Sequence, residues 1–225
     1  MKPVLIVDCY VEGDGSQNYR RLLPEKTVTV WRAIEEPRPI ELSEFSAIMM
    51  TGSAACVTAP EPWMEALADV LREAKDQRLP IFGICFGHQM IAYALFGPQA
   101  VQKSGTPELG WDRIEILDSG SIFENLGAEF NTFLSHFDEV IAQPGMAVLA
   151  RSGRCGVQSY RVEGYPIWGV QFHAEMAQGE AEELLAIRIG GRPDLGFDLE
   201  SKLQQAKDST GLAQTIMGNF FAAVS

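Results

Sequence analysis

Cys85, His173 and Glu175 are the residue types of a nucleophilic hydrolase, and their surroundings suit that chemistry. Cys85 lies in the run L-P-I-F-G-I-C-F-G-H-Q, residues 79–89. After Pro80, the apolar Ile81, Phe82 and Ile84 predict a short buried strand, and Phe86 to Leu95 predict a helix. Gly83 and Gly87 flank the cysteine two residues to either side, so the backbone can bend sharply there. A thiol at such a tip stands at a helix N-terminus, where unpaired N–H groups and the helix dipole favour a thiolate nucleophile.

A lone cysteine is more often structural than catalytic. Support comes from V-Q-F-H-A-E, residues 170–175. His173 closes an apolar strand and Glu175 follows at i+2. In extended chain those positions point the same way, so the carboxylate can hold the second ring nitrogen. A base whose tautomer is set by an acid is what Cys-His-acid catalysis needs. The residues alone do not choose among the three histidines. His88, on the helix after Cys85, reads as a locally hydrogen-bonded side chain directed along that helix. His136, in L-S-H-F-D, reads as a turn histidine in a polar loop.

The elements that must position these groups run in an α/β order. Pro3–Val7, Thr27–Trp31 and Ala47–Met50 read as strands, with a short helix from Ser16 to Leu23 between the first two. Glu35–Ile40 reads as a Pro-broken connection and Glu41–Phe45 as a turn or short helix. Trp63, Ala66, Leu67, Val70, Leu71 and Ala74 recur at helical spacing. The order predicts a doubly wound, mainly parallel sheet. Ligands gather beyond the carboxyl ends of such strands, where Asp8–Glu12, Thr51–Ala54 and Cys85 all fall.

The middle of the chain reads as an antiparallel extension built from short runs: Trp111–Leu117, Glu139–Ala142, Val148–Arg151, Gly156–Val162 and Pro166–Phe172. It includes a hairpin, Gln158–Val162 with Ile167–Gln171, across Glu163-Gly164. A helix follows over Ala177–Ile189, and the tail reads as two more, Gly196–Lys207 and Leu212–Val224. Residues 1–190 are expected to form the main domain, and 191–225 a helical extension packed on it.

With 225 residues, the chain can bury the core of one such domain. Its 18 basic and 30 acidic side chains give a net charge of −12, which argues against nucleic-acid or anionic-membrane partners. Cys9, Cys56, Cys85 and Cys155 lack metal-knuckle or redox-pair spacing, so neither a metal nor another cofactor is expected. No signal segment precedes the first strand, and a reduced cytoplasmic protein is the expectation.

Together, G-I-C-F-G-H-Q at 83–89 and Q-F-H-A-E at 171–175 resemble the class I (triad) glutamine amidotransferases, over residues 3–190. That resemblance implies a flavodoxin-like fold with Cys85 as nucleophile, His173 as general base and then acid, and Glu175 as its orienting partner. It further implies oxyanion donors at the backbone of Phe86 and Gly52, and contacts to the amino-acid end of glutamine from Gln89 and the backbone around Ser135, His136 and Phe137. Two departures stand out: the oxyanion loop is T-G-S-A-A-C, and Ala174 replaces the usual proline. Cys56 after that loop reads as packing.

Gly110-Trp111-Asp112 and Ser135 to Val140 resemble the branch of stand-alone GMP-synthase-like amidotransferases and γ-glutamyl peptidases. The implied activity is glutamine hydrolysis, with ammonia passed to a separate synthetase partner. The alternatives are hydrolysis of another γ-glutamyl compound such as glutathione, and a module that no longer catalyses.

Overall fold

The computed structural model describes residues 2–35 and 41–224. Beyond Glu35, the connection expected over 35–40 lies outside the described residues. Nine strands form one sheet: β1 (Val4–Asp8), β2 (Val28–Arg32), β3 (Ala47–Met50), β4 (Ile81–Ile84), β5 (Val101–Ile116), β6 (Glu129–Val140), β7 (Met146–Arg151), β8 (Ser159–Val162) and β9 (Ile167–Val170). Their order is β2-β1-β3-β4-β9-β8-β7-β5-β6. The first five in that order run parallel and the rest antiparallel, as the doubly wound reading with an antiparallel extension requires.

The helices are α1 (Ser16–Leu22), α2 (Pro62–Asp76), α3 (Phe86–Phe96), α4 (Gln178–Gly190), α5 (Leu199–Leu203) and α6 (Thr210–Ala223). Both faces of the parallel strands are apolar because both are covered. Leu5, Val7, Ile48, Met50 and Ile81 pack with buried residues of α2 and α3. Val4, Ile6, Met49, Phe82 and Ile84 face Tyr19 of α1 and Ala213, Ile216, Met217 and Phe220 of α6. None of the described helices is long and apolar enough to cross a membrane.

Three parts of the sequence reading are corrected. The runs expected at Trp111–Leu117 and Glu139–Ala142 belong to strands of 16 and 12 residues, β5 and β6, which pair as a long antiparallel ribbon. In β5 exposed stretches flank a buried Glu108–Trp111, and the register shifts between Lys103 and Glu108. β6 is buried on consecutive residues from Thr132 to His136, so neither strand shows sustained apolar alternation. His136 therefore lies in a strand, opposite Glu108, and not in a loop. In the tail, the expected Gly196–Lys207 helix shrinks to α5. Gly196 is left-handed at φ 66°, and Asp198 caps the helix by accepting from the Glu200 N–H. The predicted β8–β9 hairpin is present, with Gly164 at φ 76° in its turn.

Candidate active site

Parallel pairing of β4 with β9, Ile84 opposite Val170, brings the chain after each strand to one edge of the sheet. The Cys85 N–H donates to the Val170 carbonyl at 2.8 Å, so the two motifs are stitched together at the backbone. Cys85 itself sits at φ 51°, ψ −103°, a conformation that is uncommon for a residue with a side chain. The flanking glycines are steric necessities. A Cβ on Gly83 would stand 2.5 Å from the Gly87 carbonyl carbon, and one on Gly87 would stand 2.7 Å from the Met50 Cβ. The helix can start directly on the strand only because both side chains are missing. Phe86 is its first residue, so its N–H has no intrahelical acceptor.

The end of β3 brings Gly52 over the same point. A Cβ there would be 3.0 Å from His173 Cε1 and 3.8 Å from the Cys85 Cβ, so glycine permits this approach. A buried network holds the loop. The Thr51 hydroxyl accepts the Cys9 N–H at 2.9 Å and lies 2.9 Å from the Gly52 carbonyl and 3.4 Å from Asp8 Oδ1. Asp8 in turn accepts from the N–H groups of Tyr10 and Gly15 and from Arg32 at 3.1 Å. The sequence placed Asp8 and Thr51 at the ligand edge without giving them this task. Arg32 was missed because its partners are distant in sequence.

His173 and Glu175 are both buried, and Nδ1 donates to Glu175 Oε1 at 2.7 Å. The sheet curls back so that the Phe133 carbonyl of β6 accepts the His173 N–H at 2.8 Å. Burial alone would keep the ring neutral. The Glu175 charge, the Cys85 sulfur and hydrogen bonds to both outweigh it, and hold His173 up at about 10. The imidazole thus carries its second proton near neutral pH and forms a charged hydrogen bond to Glu175. A raised pKa stabilises the fold fully below the unfolded value near 6.5, and that contribution is lost as pH rises through about 10. Unfolding of the wild type and His173→Gln, followed against pH, should show a stability gap that narrows between those limits. A gap independent of pH would exclude the charged pair.

Of the other histidines, His88 does not point along its helix. It is fully buried beneath β9, its ring 4.8 Å from that of Tyr160, and burial pushes its pKa down to about 3. His136 is buried as well. Its Nε2 hydrogen-bonds Glu108 Oε2 at 2.9 Å and its Nδ1 the Asp138 carbonyl at 3.0 Å. Gln158 and Ser152 also donate to Glu108. Glu108, His136 and Cys155 have the spacing of a metal cluster. Glu108 joins His136, Gln158 and Ser152 in a buried hydrogen-bonded brace for the strand that carries Ser135–Phe137, and burial pushes the neighbouring Cys155 thiol up to about 12.

That segment and Gln89 meet Cys85 at a small cavity of about 60 Å³, lined also by Asp138 and Arg188. The Ser135 carbonyl lies 3.8 Å from the Cys85 sulfur. Gln89 donates to the Asp138 carbonyl at 2.9 Å and to Gln171 Oε1 at 3.0 Å, which leaves its own carbonyl oxygen to offer a ligand. Cys56 is not core packing. It is partly exposed on this cavity and donates to Asp138 Oδ2 at 2.9 Å, beside Thr58. A second, open cavity of about 620 Å³ lies on the His173 side, bordered by Tyr10, Gly52, Ser135, Met176, Leu184 and Arg188. Arg188 was not among the sequence candidates, although a cation at i+3 and i+4 from Leu185 and Leu184 interrupts the apolar stripe of α4.

The arrangement suits acyl transfer: a thiol at the tip of the elbow, an imidazole held by a carboxylate, and the glycine loop after β3 closing over both. The family model of class-I glutamine amidotransferases matches residues 5–188. A glutamine-hydrolysing GMP synthase subunit from Saccharolobus solfataricus is 34% identical over 145 residues, 64% of this chain and 74% of that protein. Its counterpart from Methanococcus aeolicus is 33% identical over 141 residues, 62% and 70% of the two chains. A glutamine amidotransferase structure from Methylobacillus flagellatus superposes with a TM-score of 0.82 at 23% identity, over 100% of this chain and 96% of that one.

Proposed function

We propose that this chain, which belongs to the class-I glutamine amidotransferase family, hydrolyses the side-chain amide of glutamine through a γ-glutamyl thioester on Cys85. The single observation that carries the reading is the convergence of Cys85, His173 and Gly52 at one edge of the sheet.

The Cys85 thiolate attacks the γ-carbon, and negative charge moves to the former carbonyl oxygen. The N–H groups of Phe86 and Gly52 receive that charge. Collapse breaks the C–N bond as His173 gives its proton to the leaving nitrogen, releasing ammonia. Neutral His173 then takes a proton from water, whose oxygen attacks the thioester, and glutamate leaves as the Cys85 thiolate is restored. Glu175 holds the ring in one orientation through both steps. The Gln89 carbonyl oxygen suits the substrate's α-ammonium group, and the backbone of Ser135, His136 and Phe137 lines the place where its amino-acid end sits.

The GMP synthase subunits among the relatives support delivery of the ammonia to a separate synthetase. The scattered cysteines suit work in the cytoplasm. We also place residues 191–225 in the same folding unit as the core.

The large cavity on the His173 side supports a second reading. Ammonia, about the size of water, needs only about 10–15 Å³ by the same measure, far less than the 620 Å³ beyond the residue that protonates the leaving group. A γ-glutamyl peptide would fit the same chemistry.

A glutamine analogue with an electrophilic diazoketone at the γ-position tests the common step. Mass spectrometry should find one adduct, on Cys85, with glutamine slowing its formation. Modification spread over Cys56 and Cys85 and indifferent to glutamine would rule the proposal out.

A further inference from the structure

Arg188 stands on the wrong face of its helix for a solvated charge. In α4, Ala181, Leu184 and Leu185 pack against Leu109, Trp111 and Phe133, and Arg188 follows them at i+7, i+4 and i+3. One turn later, Arg192 lies over the Phe137 ring at 5.3 Å, which seats this end of α4 against the strand beside Cys85. Arg188 consequently borders both the small cavity containing Cys85 and the large one containing His173. Among the described residues lining either cavity, it is the only arginine or lysine. Its Nε is buried with no hydrogen-bond partner, and no carboxylate among the described residues forms an ion pair with it. Of the acids lining the two cavities, Glu180 pairs with Arg21 at 2.7 Å, Asp14 accepts from Ser16, and Asp138 accepts from Cys56 and Thr58. Glu12 and Glu183 are exposed and form no ion pair with Arg188. A partly desolvated guanidinium without an anion is a poor arrangement for stability and a good one for recognising a planar carboxylate.

We infer that Arg188 is the residue by which this site recognises a carboxylate of its substrate. The inference rests on the γ-glutamyl reading given above. Two carboxylates could meet the guanidinium: the α-carboxylate of the glutamyl group, through the small cavity, or that of a leaving amino acid, through the large one. Arg188 acts in binding, so its loss falls on KM and leaves the thioester chemistry at Cys85 in place.

Four amides separate these sources in wild type, Arg188→Ala and Arg188→Lys: glutamine, γ-glutamylmethylamide, γ-glutamylglycine, and 4-aminobutanamide, which is glutamine without its α-carboxylate. If the α-carboxylate is bound, Arg188→Ala lowers kcat/KM about 10–100-fold for the first three, through KM, and leaves 4-aminobutanamide unchanged. If the leaving amino acid is bound, only γ-glutamylglycine falls. In either case Arg188→Lys recovers part of the loss, since it keeps the charge but not the fork. Equal values for wild type and variant on all four amides, or an equal loss on all four, would overturn the inference. Melting curves confirm that the variants are folded.

A wild type that hydrolyses none of the four disproves the reaction reading alone. Arg188 is then judged by protection of Cys85 against iodoacetamide. Better protection by L-glutamate than by 4-aminobutyrate, or by γ-glutamylglycine than by γ-glutamylmethylamide, in wild type, with that difference lost in Arg188→Ala, upholds its role. No difference within either pair in wild type refutes it.

Discussion

Cys85→Ala is expected to lower glutamine hydrolysis by at least about 10⁴-fold, because nucleophile and base act as one unit and neither works alone. The fold should survive. Cys85 is a small side chain at a strained tip, and alanine fills the same backbone position without the sulfur. The other three free cysteines offer no substitute: Cys9 and Cys155 are buried with thiols raised by burial, and the Cys56 thiol is tied to Asp138. Ammonia release measured alongside a melting curve checks both halves. Turnover within tenfold of wild type would end the thioester mechanism. A collapsed melting point would mean that Cys85 is structural.

Phe220→Ala should have the largest effect on stability. Phe220 of α6 is fully buried, with ring centroids 5.4 Å from Phe82 on β4 and 5.6 Å from Trp168 on β9. Removing a ring from such a site costs about 3–5 kcal/mol through lost transfer energy and the cavity left behind. In a chain of this size that lowers the melting temperature by on the order of 10 °C. The same two strands end at Cys85 and near His173, so the tail supports the site from beneath the sheet. Asn219 adds hydrogen bonds to the carbonyls of Ile122 and Glu124. Chemical denaturation of Phe220→Ala measures the cost, and glutamine turnover in the folded fraction should be retained. A loss below about 0.5 kcal/mol, the level of an ordinary surface substitution, would mean that α6 docks loosely and that residues 191–225 are separable from the core.

The triad motifs were legible because their signals are local. Gly83 and Gly87 around Cys85 announce a tight elbow, and i+2 spacing in an extended segment is enough to pair His173 with Glu175. The parallel strands were equally plain, since burial on both faces leaves nearly unbroken apolar runs such as Val4–Val7 and Ala47–Met50. The β5–β6 ribbon was not, because a register shift in β5 and a continuously buried, partly polar stretch in β6 leave no sustained period. His136 was misplaced with it. The tasks of Asp8, Arg32 and Asp138 escaped for a different reason: a charged side chain looks like any other of its kind until the partners that satisfy it are brought near.

The sequence by itself determined the elbow that carries Cys85, the His173–Glu175 spacing and the strands that end beside them, since short-range sterics and burial patterns encode these. The choice of His173 over His88 and His136 needed the family resemblance. Only the tertiary structure decided what surrounds them. The curl of the sheet carries Phe133 to His173 and Ser135 to Cys85, and α4 brings Arg188 between two cavities. Those contacts join residues far apart in the chain, so no local pattern could record them.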